Sequence, residues 1–258
     1  MPIHFYKYHG TGNDFILLDN RTNVFHLSAA QIRQMCRRCY GIGADGLMLL
    51  NTAPGYDFEM KYYNADGNES SMCGNGGRCI VRFAHSLGIH KLRHSFIAAD
   101  GPHEATLQDN GWVHLKMKSV DAIEEVDGYD IIDTGSPHLV KSVSNIMHFN
   151  VAEHGRHIRY SKPFEEKGIN VNFTENFDKY IYVRTYERGV EDETQSCGTG
   201  VTAVALLNYH NELGFNRIEI QTPGGNLAVE YNKTGDASYE DIWLCGPAEF
   251  VFQGNIEV

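Results

Sequence analysis

Short runs in which apolar and polar residues alternate recur along most of the chain. They predict strands at 3–9, 14–19, 46–50, 58–63, 95–99, 104–108 and 112–117. A second set follows at 130–133, 138–142, 169–174, 180–186, 217–221, 226–231 and 242–245. Helical periodicity is rarer. Ser28 is placed to cap AAQIRQMCRRC, which Gly41 ends. Two further helices are expected at 75–87 and 199–212, each after a Cys-Gly turn and each stopped by a glycine, Gly88 and Gly214. Ile80, Val81, Phe83, Ala84 and Leu87 cover much of the first, and 201–207 is apolar almost all round. Helices of that kind are buried. The expected fold class is therefore α+β: two pseudo-symmetric halves, each a mainly antiparallel barrel wrapped around a central helix.

The chain repeats itself. MCGNGGRC (72–79) parallels SCGTGVTA (196–203), with Cys73 and Cys197 124 residues apart. HGTGND (9–14) parallels DTGSPH (133–138), and AADGPHEATL (98–107) parallels QTPGGNLAVE (221–230), at nearly the same offset. Three matches in one order point to duplication rather than coincidence among turn residues. The expected halves are 1–119 and 120–247, with a C-terminal strand at 248–258 available to complete the first.

Composition narrows the partners. The chain has 258 residues, of which 42% are hydrophobic and 21% charged, as in ordinary globular proteins. A net charge of −11 argues against nucleic acid and anionic membranes as partners. No apolar run reaches the length of a membrane span, and MPIHFYKYHGTGND lacks the features of a signal peptide. A cytoplasmic location is expected, with the six cysteines kept as thiols.

The candidate chemistry lies at the two Cys-Gly turns. A helix N-terminus carries unpaired N–H groups and partial positive charge, which favour a thiolate and bind carboxylates. If the halves face each other, Cys73 and Cys197 meet in a cleft on opposite faces of one small substrate. One thiolate would then remove an α-proton while the other thiol returns one, inverting the carbon without a cofactor or metal. Cys79 and Cys245 read as structural thiols. CGNGG lacks the Lys-Ser/Thr pair of a phosphate loop, and Cys36-Arg-Arg-Cys39 reads as part of a helix, since no second pair completes a zinc site.

HGTGNDF, GIGADGL, YYNADGNESSMCGNGGRC, INVNF and YERGVEDETQSCGTG together resemble diaminopimelate epimerase, from residue 3 to the C-terminus and in order. The paired cysteine motifs alone resemble the wider superfamily of proline racemases and phenazine-biosynthesis-like isomerases. The resemblance implies that Cys73 and Cys197 are the acid/base pair, assisted by His138 and Glu187. It implies substrate contacts from Asn13, Asn64, Asn170, Glu187 and Arg188, and α-carboxylate binding by the backbone of Gly74-Asn75 and Gly198-Thr199. It also implies a homodimer. Taken without the resemblance, Arg188 also reads as a solvated surface charge, His138 as a core histidine, and Asn13 and Asn64 as turn formers. Gly46 and Ser136 depart from the family pattern, where Gln and Asn are common. They keep racemisation of another amino acid, of proline or histidine type, open as the alternative. A redox-regulated binding protein with a Cys73–Cys197 disulfide is the alternative from another class.

Overall fold

The computed structural model describes residues 2–207 and 211–257. Its strands are β1 (Ile3–Gly10), β2 (Asn13–Asp19), β3 (Gly46–Asn51), β4 (Phe58–Asn64), β5 (Glu69–Ser70), β6 (Arg93–Ala98), β7 (Gly101–Leu107), β8 (Trp112–Lys116), β9 (Glu124–Val126), β10 (Tyr129–Asp133), β11 (Pro137–Ser142), β12 (Asn170–Asn176), β13 (Ile181–Glu187), β14 (Asp192–Thr194), β15 (Gly214–Thr222), β16 (Gly225–Lys233), β17 (Tyr239–Pro247) and β18 (Glu249–Ile256). The α-helices are α1 (Ala29–Cys36), α2 (Gly74–Ser86), α3 (Val151–Arg159) and α4 (Gly198–Leu206). The chain forms two compact units, one of Met1–Leu115 with Gly246–Val258, the other of Lys116–Cys245.

In the first unit β18, β1 and β2 pair antiparallel, and β1 turns into β2 through Thr11 and Gly12, both at positive φ. That two-residue turn matches the twist of a hairpin. The chain crosses over through α1 to place β3 parallel to β2, and β4 returns antiparallel. A second crossover, through α2, sets β6 parallel to β4, and β7 and β8 close the run. The second unit repeats this plan: β9–β10–β11 antiparallel, α3 crossing to a parallel β12, then β13, then α4 crossing to a parallel β15, then β16 and β17.

Local chemistry explains the helix starts. Ser28 and Gln31 satisfy each other's backbone N–H groups in a capping box at α1, and Ile32, Met35 and Cys36 turn inward onto Ile3, Phe5, Ile16 and Leu47. Asn150 caps α3, a helix that the alternation pattern does not announce. Gly155 lets α3 lie against β13, since a Cβ there would come within 2.3 Å of Tyr186 Cβ. The helices α2 and α4 are buried along nearly their whole length, α4 as its apolar coverage on almost all sides requires and α2 with Asn75 and Arg78 among its buried residues.

Two helix boundaries differ from expectation. Cys36-Arg-Arg-Cys39 is not one helical face: α1 stops at Cys36, Arg37 is extended, and Cys39 is exposed at φ 69°. Carbonyls of Met35 and Arg37 are taken by Gly43 and Gly41, and this turn ends the helix. The helix expected to reach 212 ends at Leu206, where the Asn211 side chain donates to the carbonyls of Ala205 and Leu206. Positions 208–210 of that expectation lie outside the described residues.

Candidate functional site

Cys73 and Cys197 are each the N-cap residue of a buried helix, in extended backbone conformation. In the first unit Cys73 Sγ accepts the Gly76 N–H at 3.2 Å, a bond usually made by Ser, Thr or Asp. Gly74 and Asn75 form the first turn of α2. Asn75 Nδ2 donates to Asn13 Oδ1 at 3.3 Å, so the first-turn amide reaches the end of the β1–β2 hairpin. Asn13 in turn donates to Asp45 at 2.6 Å.

Behind Asn75 stands Arg78, fully buried, which donates to Asn75 Oδ1, Thr11 Oγ1 and the carbonyl of Gly74. Lys7, Asp14, Arg38 and Asp45 form a second ionic group under the hairpin. Burial alone would raise the Asp14 carboxyl, but hydrogen bonds and charge from Arg38 and Lys7 hold it down at about 2. Asn64 ends β4, exposed, and its N–H and carbonyl close the NADGN turn. Gly46 sits opposite Asn64, and a Cβ on Gly46 would come within 2.5 Å of the Tyr62 ring. The glycine and Tyr62 therefore share one space, which explains why no longer side chain stands at 46.

In the second unit Asn170 donates to Ser136 Oγ at 2.8 Å and to the Pro137 carbonyl at 3.0 Å, while its oxygen accepts the Arg188 N–H at 2.9 Å. Arg188 Nη2 also reaches Ser136 Oγ, so Asn170, Ser136 and Arg188 form one exposed-to-buried set. The Asn170 amide is engaged on this framework on both its nitrogen and its oxygen. Glu187 Oε2 accepts from Thr194 at 2.9 Å across β13 and β14.

His138 is fully buried. Its Nδ1 lies 3.2 Å from Asn172 Nδ2 and its Nε2 lies 2.9 Å from Thr199 Oγ1, whose oxygen is 3.5 Å from Cys197 Sγ. Burial pushes the imidazole down to about 3, with Asp133 opposing and Arg188 adding to the shift. It is neutral at any working pH.

Asn172, Thr185 and Arg78 escaped the sequence reading. The available signal was a polar or charged residue at an inward position of an otherwise apolar element: Asn172 in INVNF, Thr185 in IYVRTY and Arg78 in the small-residue run of α2.

The sequence profile described as diaminopimelate epimerase matches residues 5–123 and 131–251, one stretch for each repeat. This chain belongs to the diaminopimelate epimerase family. A diaminopimelate epimerase of Flavobacterium psychrophilum is 48% identical over 97% of this chain and 99% of its own length. That of Chlorobaculum tepidum is 40% identical over 96% and 98%. Among solved structures, a PhzF-family phenazine biosynthesis protein of Bacillus anthracis covers all of both chains with a TM-score of 0.77 at 14% identity. A hydroxyproline epimerase of Agrobacterium vitis, with bound trans-4-hydroxy-L-proline, covers 99% of this chain and 92% of its own with a TM-score of 0.69 at 13% identity. At such identity the solved structures speak for the fold alone, an α+β architecture. Membership in the diaminopimelate epimerase family rests on the profile and the curated relatives. Among the described residues no helix is long and apolar enough to cross a membrane.

Proposed function

We propose that this chain is a cofactor-independent isomerase that interconverts LL- and meso-diaminopimelate. One observation carries the reading: in each unit, at equivalent places in the repeat, a cysteine occupies the N-cap position of a buried helix. A thiolate on one of them takes the α-proton. The electron pair left on the α-carbon spreads into the carboxylate, which the helix N–H groups stabilise. The thiol of the other cysteine then delivers a proton to the opposite face. At the end the first cysteine is a thiol and the second a thiolate, and the carbon is inverted. A single well-placed oxyanion donor contributes roughly 3–4 kcal/mol to such a step.

In this reading the amides of Gly74-Asn75 and Gly198-Thr199 hold the reacting carboxylate. Asn13, Asn64 and Asn170 recognise the distal end with Glu187 and Arg188, whose planar guanidinium suits a carboxylate. A cytoplasmic location and a homodimer belong to the same proposal. The second is supported by Phe250, Val251 and Phe252 of β18, all about half exposed, which a second copy would cover; sedimentation equilibrium tests it.

The deciding experiment is incubation with LL-diaminopimelate in heavy water. The expected result is the meso isomer carrying one α-deuterium. Exchange with proline or histidine but not diaminopimelate would replace the substrate. Thiol–disulfide cycling without isomerisation of any amino acid would replace the function.

A further inference from the structure

The two units place different chemistry at equivalent positions. In the first, Phe15 pairs with Gly46 across parallel strands and Met48 sits opposite Tyr62. In the second, the same register holds His138 beside Asn170 and Asn172 opposite Thr185. The equivalence extends to the helices: a Cβ on Gly76 would meet Met48 Cε at 2.6 Å, and one on Gly200 would meet Asn172 Oδ1 at 2.3 Å. Phe, Met and Tyr thus satisfy the packing needs of this interior, and the polar trio of the second unit requires another reason.

Its hydrogen bonds have a fixed direction. The Leu139 carbonyl accepts only, so the Asn172 atom 3.0 Å from it is the amide nitrogen. Asn172 Oδ1 faces Thr185 Oγ1 at 2.9 Å. The same nitrogen then donates to His138 Nδ1, which must be unprotonated, and the neutral ring carries its proton on Nε2. That proton goes to Thr199 Oγ1. The threonine hydroxyl is left to turn its own hydrogen toward Cys197.

We propose that Asn172, His138 and Thr199 form a positioning chain for Cys197: the amide fixes the imidazole as the Nε2–H tautomer, and the imidazole turns the Thr199 hydroxyl into a donor to the sulfur. A hydroxyl is suited to this place because it donates to a thiolate and accepts from a thiol, following the sulfur through both protonation states. His138 then acts through Thr199 rather than by taking the proton itself. The inference rests on Cys197 as one of the two acid/base groups and names what tunes it.

Two measurements without substrate test it, which separates its fate from that of the proposed activity. In protein labelled with nitrogen-15 histidine, long-range proton–nitrogen correlation should show His138 protonated on Nε2 and bare on Nδ1. In Asn172→Asp the carboxylate should draw the proton to Nδ1. The rate of alkylation of Cys197 by iodoacetamide at neutral pH, read by peptide mass spectrometry, should fall about tenfold in Thr199→Val and recover in Thr199→Ser. The rate at Cys73 should stay within about twofold. If the activity is as proposed, kcat/KM should fall by one common factor in both directions, because the equilibrium between isomers is unchanged, and Thr199→Ser should restore it. Protonation on Nδ1 in the wild type, or wild-type alkylation of Cys197 in a folded Thr199→Val, would overturn the chain whatever the enzyme turns over. The expected tautomer and alkylation rates with no epimerisation of any amino acid would support the chain and remove the function.

Discussion

The two N-cap cysteines occupy the same place in a duplicated plan, yet they are supported in opposite ways. Cys73 Sγ takes a backbone N–H of its own helix, in a first turn braced by a buried cation, Arg78. Cys197 makes no capping bond to α4 and lies against a hydroxyl backed by a neutral imidazole. The position equivalent to Arg78 is Thr202, whose hydroxyl donates to the Gly198 carbonyl. Duplication conserved the scaffold and let the groups behind each sulfur diverge. Under the two-cysteine mechanism proposed above, that asymmetry has a use, since the two sulfurs would begin each turnover in different protonation states.

The largest effect that would break the comparison is removal of either sulfur. Cys73→Ala and Cys197→Ala should each lower kcat by at least ~1,000-fold while near-ultraviolet circular dichroism is retained. A variant that kept its activity would show that the two ends are not partners in one reaction.

The pH dependence of stability sharpens the contrast next. His138 has a folded pKa of about 3, below its unfolded value, so its contribution to stability is complete above the unfolded pKa near 6.5 and is lost as pH falls toward 3. Between pH 7 and pH 4 this amounts to about 3 kcal/mol. Replacing the second unit's pair by the first unit's, His138→Phe with Asn172→Met, should remove that part of the slope in urea titrations at several pH values. The slope owed to buried His94 in the first unit, whose pKa burial also lowers, should stay.

Equal substitutions at equivalent glycines should then have unequal costs. In Gly200→Ala the new methyl meets an amide oxygen held in place by its neighbours, whereas in Gly76→Ala it meets chiefly the flexible end of Met48. Gly200→Ala should cost about 1–3 kcal/mol in chemical denaturation and Gly76→Ala less than about 1. The smallest difference concerns the crossover helices. Ser28→Ala breaks a reciprocal capping box at α1 and should cost about 1 kcal/mol, and Asn150→Ala at α3 about half of that, read from denaturant midpoints.

Much of this was legible from residue order. The strand periodicity of 2 survives in single sequences because each strand buries one face, and the apolar residues of α2 and α4 announced the burial of both helices. Short or exposed elements left no such trace: β5, β9 and β14 span two or three residues, and α3 is charged over most of its surface, with Val151, Gly155 and Ile158 alone turned inward. Of the site, the cysteines and their turns were visible as a repeated motif. Arg78 and Asn172 were not, because a charged or amide side chain in an apolar run has no local partner in sequence to show that it is satisfied.

The sequence by itself determined that there are two related halves, that each has a thiol at the head of a buried helix, and that family membership follows from motifs in a fixed order. Those are properties of spacing and periodicity, which a linear chain carries. Only the tertiary structure decided what stands behind each thiol. Phe15, Met48 and Tyr62 on one side, and His138, Asn172 and Thr185 on the other, come from strands far apart in the chain, and strand register alone makes them neighbours. The direction of a hydrogen bond through an imidazole is set by which carbonyl its partner already faces, and that is a fact of packing.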